Sequence, residues 1–330
     1  MERRVGVLGT GHAVPRKAVE SSFLDETLGL SAGTVERTTG VRRRYFAQHD
    51  ETAARLAADA CTKALEAAQL GWNDVDCLIA ASGTMDQGMP SNAALIHGEL
   101  GLDRFAVQAL DVNSSCLGFL AALDLLSWPI AHGRYRTVMI VCADLASCGL
   151  DWKNLDASGI FGDGAAAAVV GAATSDSAIL ASKMRTLSEG MHYCEIPAGG
   201  SRYHPTRIDE PFDPLTLFRM DGKAVYRLVA DMLPGFVREL LDDSGCSADQ
   251  IACVVPHQAS RLAMEHMKRR LGPLGDRFVT IFADYGNQVA ASMPTALHLA
   301  IDSGAVERGD LVLLLGTGAG VSVGGMVLRY

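Results

Sequence analysis

One stretch of this chain is repeated in outline later on, and that constrains the fold more than any other feature. Ser247-Ala-Asp-Gln-Ile-Ala-Cys-Val-Val follows a helical segment, 223–241, just as Trp72-Asn-Asp-Val-Asp-Cys-Leu-Ile-Ala follows another, 52–69. Arg277–Ala283, Asp284 and a small-residue helix mirror Arg104–Leu110, Asp111 and the helix after it. Arg136–Val141 is mirrored by Asp310–Leu315. Three matches in the same order predict an internal duplication with a period of roughly 150 residues. The halves are then 1–175 and 176–330, the second including a Pro- and Gly-rich loop at 187–218. Within each half, short apolar strands alternate with helices, which predicts an α/β fold with buried, largely parallel sheets. Predicted strands are Val5–Gly9, Cys77–Ala81, Phe105–Val112, Thr137–Cys142 and Ala165–Val170, with an apolar helix over Leu117–Leu126. The helix over 52–69 presents Leu56, Ala60, Ala64, Leu65 and Ala68 on one face and is expected to stop at Gly71.

Composition narrows the function classes. Of 330 residues, 48% are hydrophobic and 20% charged, enough apolar material for a large core. The formal net charge of −9 is the wrong sign for a general nucleic-acid or anionic-membrane binder. None of the eight cysteines forms a Cys-x-x-Cys pair, so no zinc or dithiol motif is predicted. Their apolar settings, with no signal-peptide pattern at the start, predict a reduced, cytoplasmic protein. The uncharged run Leu311–Leu328 carries five glycines and reads as two strands around a turn, not as a membrane helix.

Three residues stand where chemistry is expected, just after strands. Cys116, in Asp111-Val-Asn-Ser-Ser-Cys-Leu-Gly-Phe-Leu, sits at a strand–turn–helix junction. The positive end of the helix dipole would there favour a thiolate. His257, in Val254-Val-Pro-His-Gln-Ala-Ser, and Asn287, in Asp284-Tyr-Gly-Asn-Gln-Val-Ala, both follow strands of the second half. Sites of open α/β sheets form at the carboxyl ends of strands. Each residue alone also reads as a core or turn residue; the common placement is what singles them out. Gly9-Thr-Gly11 and Gly316-Thr-Gly-Ala-Gly320 follow strands but open no helix, so the dinucleotide fingerprint is not met.

Taken together, Gly9…Pro15, Thr39-Gly-Val-Arg42, Pro90-Ser91, Cys116-Leu-Gly-Phe, Phe161-Gly-Asp-Gly-Ala165, Met220-x-Gly222, Pro256-His-Gln-Ala259, Gly286-Asn287 and the glycine-rich end give a recognisable order. The chain resembles the β-ketoacyl-acyl-carrier-protein synthase III family of the thiolase superfamily. That resemblance implies a five-layer αβαβα fold from two duplicated halves, a homodimer, and a Cys116, His257, Asn287 triad. It implies acyl transfer to Cys116, then decarboxylative Claisen condensation with malonyl-ACP, with the N–H groups of Cys116 and Ala319 as oxyanion hole. It implies acyl-CoA or acyl-ACP as donor, acyl carrier protein as partner, and no metal or other cofactor. Met89 and Met220 match acyl-pocket positions, and Arg227, Arg261, Arg269 and Arg270 match a carrier-docking face. The chain departs from the family at Thr34, where a tryptophan usually stacks on the adenine of CoA, and at Ser260, Thr317 and Ala319. A specialised acyltransferase on the same fold and a non-catalytic carrier-binding subunit are the alternatives. The complete triad speaks against the second.

Overall fold

The computed structural model describes residues 2–173 and 175–330. Two sheets carry the architecture. The first has the order Val5–Ala13, Gly164–Ala172, Thr137–Asp144, Cys77–Ala80, Gln108–Asp111. The second runs Ala178–Thr186, Ser322–Arg329, Leu311–Gly318, Ile251–Pro256. Read in these directions, the strands correspond one to one. In each sheet the last-formed strand of the half lies between the first-formed strand and the remaining ones. The fifth position of the second sheet is only a bridge, Val254 to Phe278. The strand expected over Arg277–Ala283 is therefore absent. A 3-10 turn, Gly272–Arg277, and a short helix, Phe282–Tyr285, occupy its flanks.

The sheets are mixed rather than largely parallel. Thr137–Asp144, Cys77–Ala80 and Gln108–Asp111 pair parallel, but Val5–Ala13 and Thr137–Asp144 are both antiparallel to Gly164–Ala172. In the second sheet Ile251–Pro256 and Leu311–Gly318 are parallel, and the other two pairs are antiparallel. For one of these antiparallel pairs the reason is local. Leu311–Gly318 and Ser322–Arg329 are joined by a tight turn, and such a connection can only make an antiparallel pair.

Hydrophobic packing stacks these sheets into five layers. Between them lie the helices Gly118–Ala131 and Ser292–Asp302, whose Phe119, Leu120, Leu123, Met293 and Leu297 are buried against both sheets. Outside the first sheet lie Ala53–Ala68 and Asn92–Glu99; outside the second lies Leu233–Ser244. The helix Ala53–Ala68 starts at Thr52, whose side chain accepts from the Arg55 N–H, and ends at Gln69 in the left-handed region rather than at Gly71. Its alanine face allows unusually close approach to the first strand. A Cβ at Gly9 or Gly11 would come within 2.5 Å of the Ala64 or Ala60 carbonyl oxygen. The Gly-Thr-Gly run is thus a strand–helix packing device. Among the described residues no helix is long and apolar enough to cross a membrane.

Candidate active site

The nucleophile loop is shaped by residues 111–118. After the strand Gln108–Asp111, the Asn113 side chain accepts from the Ser115 N–H at 2.9 Å, and Ser115 sits at φ 49. A left-handed serine is uncommon and is held here by that Asx turn. The helix begins at Gly118, with Leu117 as its cap, so Cys116 lies just before the helix. Burial, followed by the charge of Asp144, pushes the Cys116 thiol up to about 12. The expected dipole-stabilised thiolate is therefore not the resting form: desolvation outweighs the dipole, which is worth only a fraction of that shift. The backbone N–H groups of Ala319 and Cys116 both face the sulfur and pull its pKa in the opposite direction.

His257 follows the strand Ile251–Pro256, and its N–H continues the pairing by donating to the Leu315 carbonyl at 2.8 Å. The ring is buried, Nδ1 has no hydrogen-bond partner, and desolvation lowers the pKa to about 4. It is a neutral imidazole at neutral pH. Asn287 is held by its backbone, donating to Ile160 and accepting from Gly162. Its Nδ2 donates to the Ala259 carbonyl at 3.1 Å, and its Oδ1 accepts from the Val289 N–H at 2.8 Å. One amide hydrogen of Nδ2 remains for a ligand.

Contacts between the two halves bring these elements to one place. A Cβ at Gly316 would lie 2.8 Å from the His257 Cβ and 3.0 Å from the Leu117 side chain, so only glycine fits between His257 and the nucleophile loop. Gly318 lies beside Ser114 and Leu117, where a Cβ would make ordinary contacts of 3.4–3.5 Å. Ala259 links His257 to Asn287 directly.

Of the other sequence-predicted residues, Met220 is half-buried, pairs with Cys194 across a two-residue ladder and packs with Phe161 and Phe218. Met89 is 85% exposed on its loop. Arg227 and Arg269 are exposed. Arg270 pairs with Asp231 at 3.1 Å, and Arg261 donates to the Arg37 carbonyl at 3.0 Å. Ser260 caps the helix Arg261–Leu271 by accepting from the Ala263 N–H. Thr34 opens the short helix Thr34–Thr39.

Sequence reasoning missed three buried polar residues. Gln258 donates to Pro256 and Val279 and accepts from the Ile281 N–H, stapling the segment after His257 to the one before Asn287. Asp163 accepts from Ala47 and Ser147. Asp144 bonds to two segments around the site, accepting from Gly83 and Thr84 and from Ala291. Gln258 and Asp163 lie within the quoted motifs; Asp144 carried no signal beyond its place at a strand end.

Two family models match: 3-oxoacyl-[acyl-carrier-protein] synthase III over residues 110–188 and its C-terminal counterpart over 241–330. The chain is 36% identical to the β-ketoacyl-[acyl-carrier-protein] synthase III of Sphingopyxis alaskensis, covering all of both chains. It is 33% identical to that of Rhizorhabdus wittichii, over 99% of this chain and all of the relative. The chain belongs to the β-ketoacyl-acyl-carrier-protein synthase III family. Solved structures agree with the layered fold. A 3-oxoacyl-[acyl-carrier-protein] synthase III from Aquifex aeolicus superposes with TM-score 0.87 at 28% identity, covering 99% of this chain and 100% of that one. A priming β-ketosynthase of the R1128 polyketide pathway gives 0.89 at 29%, covering 99% and 96%. The chain is thus a thiolase-like condensing enzyme, an acyltransferase of fatty-acid biosynthesis.

Proposed function

We propose that Cys116, His257 and Asn287 carry a two-stage reaction between an acyl thioester and malonyl-ACP. The supporting observation is the convergence of the nucleophile loop, His257 and Ala319 around Gly316 and Gly318. In the first stage the Cys116 sulfur attacks the acyl thioester carbon. The carrier thiolate leaves and takes up the cysteine proton. The oxyanion that forms transiently is held by the N–H groups of Cys116 and Ala319. In the second stage the malonyl C–C bond breaks and carbon dioxide leaves. The electron pair passes into an enolate whose oxygen accepts from His257 and Asn287. This role requires the proton of the neutral His257 ring on Nε2, where it can be donated. The enolate carbon attacks the acyl-cysteine, the sulfur leaves as a thiolate that takes up a proton from solvent, and a 3-ketoacyl-ACP is released.

The same reading makes the protein a cytoplasmic homodimer of chains with halves 1–175 and 176–330, without a metal or other cofactor. Met220 lines the acyl pocket from within, and Met89 reaches the partner's pocket. So large an exposed thioether fits a residue that is covered on assembly. Acyl-CoA or acyl-ACP serves as donor, and Thr34 in the family's adenine-stacking position favours donors not held by their nucleotide. The likeness to a polyketide priming ketosynthase supports a second reading, in which the same chemistry starts a specialised pathway.

Carrier docking is assigned to Arg227, Arg261, Arg269 and Arg270, a local basic face on an acidic protein. Arg227 and Arg269 are its freer members, since Arg261 and Arg270 already hold internal partners. Incubation with a series of acyl-CoA thioesters plus malonyl-ACP, with products weighed, tests the function. In that assay Arg269→Glu with Arg270→Glu should slow the ACP-dependent step about tenfold and lessen its salt dependence. Acylation from free CoA thioesters should stay intact. Equal loss in both steps would remove the docking assignment.

A further inference from the structure

Among the buried charged residues that the reaction described above leaves unused, Asp144 stands nearest the nucleophile loop. Asp144 ends the strand Thr137–Asp144 and has no exposed surface. Its Oδ1 accepts from the N–H groups of Gly83 and Thr84 at 2.8 and 2.7 Å and from the Thr84 hydroxyl at 3.0 Å. Its Oδ2 accepts from the Ala291 N–H at 3.2 Å. Every one of these donors is neutral. The carboxylate therefore ties the loop after Cys77–Ala80 to the turn Val289–Ala291, which directly follows Asn287. Gly83 marks the convergence. A Cβ there would lie 3.4 Å from the Ser115 carbonyl carbon, 3.5 Å from Asp144 Oδ1 and 2.7 Å from the Val289 side chain. The peptide leading into Cys116, the acid and the Asn287 turn meet around one glycine.

Keeping this group ionised works against folding. Burial raises its pKa to about 6, above the unfolded value, so the stabilisation present at low pH is lost as pH rises through about 6. A buried charge held at such a cost beside a reaction site points to function. The titratable groups it faces are the thiols of Cys116 and Cys142, both pushed up by burial first and by Asp144 second. Residues 83, 84 and 289–291 carry no charge.

We propose that Asp144 is a positioning residue of the condensing site, whose anion braces the turn carrying Asn287 and stands close enough to Cys116 for its charge to be felt there. This rests on Cys116 and Asn287 acting as assigned above.

The test is the rate of Cys116 alkylation by iodoacetamide between pH 5 and 8, read from the mass of its peptide. In the wild-type enzyme the logarithm of the rate should climb with pH, flatten near pH 6 as Asp144 ionises, then climb again. Asp144→Asn should lose the flattening and alkylate about tenfold faster at pH 7.5. It should also decarboxylate malonyl-ACP about a hundredfold more slowly, because an amide cannot accept at all four donors. Cys61, buried elsewhere, should stay unmodified and so report that the variant is folded. A straight climb in the wild-type profile would overturn the proposal. So would an unchanged thiol profile, or unchanged decarboxylation, in folded Asp144→Asn. If the variant does not fold, the wild-type profile decides alone. Failure of the underlying assignment would look different: Cys116→Ala would still condense.

Discussion

Asn287→Ala should accumulate the acyl-enzyme at close to the wild-type rate and form ketoacyl product at least about a hundredfold more slowly. Acylation builds negative charge on an oxygen facing the N–H groups of Cys116 and Ala319, where Asn287 takes no part. Decarboxylation builds it on the malonyl thioester oxygen, where a lost donor typically costs ~3–4 kcal/mol. Truncation also leaves the Ala259 carbonyl and the Val289 N–H without their side-chain partners. Some stability is therefore lost, about 1–3 kcal/mol. Asn287→Asp keeps the acceptor for Val289 and removes the donors, the one to Ala259 included, so it tests the donor with the side chain's size retained. It should be as inactive in decarboxylation as the alanine variant. Intact mass for the adduct and carbon dioxide release for the second stage make the measurement. His257→Ala should follow the same pattern, because an imidazole whose pKa burial lowers to about 4 is a weak base toward the thiol and serves the enolate as a hydrogen-bond donor. An Asn287→Ala enzyme with full ketoacyl output would leave simple acyl transfer as the better account.

Gly118→Ala should be the most damaging single methyl in the molecule. A Cβ at Gly118 would overlap the Ala81 carbonyl oxygen and come within 3.5 Å of the Ala290 Cβ. Ala81 is fully buried and its N–H donates to the Val141 carbonyl, so the strand side cannot yield. The start of the nucleophile helix must move instead, and Cys116 with it. Overpacking of this kind costs about 3 kcal/mol, and displacement of a reacting atom by ~1 Å costs about a hundredfold in rate. The control is Gly235→Ala, in the helix Leu233–Ser244, where a Cβ meets nothing within 4 Å. That change should stabilise by ~0.5–1 kcal/mol and leave turnover alone. Thermal denaturation and acylation rate, measured on both variants, read the contrast. Equal behaviour of the two would mean that the loop tolerates movement.

Features set by local chemistry were legible in the sequence. The helix Ala53–Ala68 was marked by its apolar spacing, and the hairpin of Leu311–Gly318 and Ser322–Arg329 by glycines between two apolar runs. The strand-end positions of Cys116 and His257 were readable because each apolar run stops at a small or polar turn. The helix expected over 223–241 is instead two, Gly222–Ala230 and Leu233–Ser244. Pro234 carries the reason: its ring excludes the carbonyl four residues earlier, at Ala230, so the chain breaks between them. The strand expected at Arg277–Ala283 failed because Gln258 takes the Val279 carbonyl and the Ile281 N–H, groups that a full ladder would have used. The state of the Cys116 thiol could not be read locally. It depends on burial and on Asp144, 28 positions away in the chain and adjacent only in the fold. The partners of Arg261 and Arg270 were hidden for the same reason.

Cys116 carries the acyl group between the two substrates in the reaction proposed above. The direct measurement is the mass of the protein and of its Cys116 peptide after exposure to an acyl thioester, before and after malonyl-ACP is added. One acyl group should appear on that peptide alone and disappear as 3-ketoacyl-ACP forms, and Cys116→Ala should give neither adduct nor product. An acyl group on any other residue, or a Cys116→Ala enzyme that still makes ketoacyl product, would contradict it.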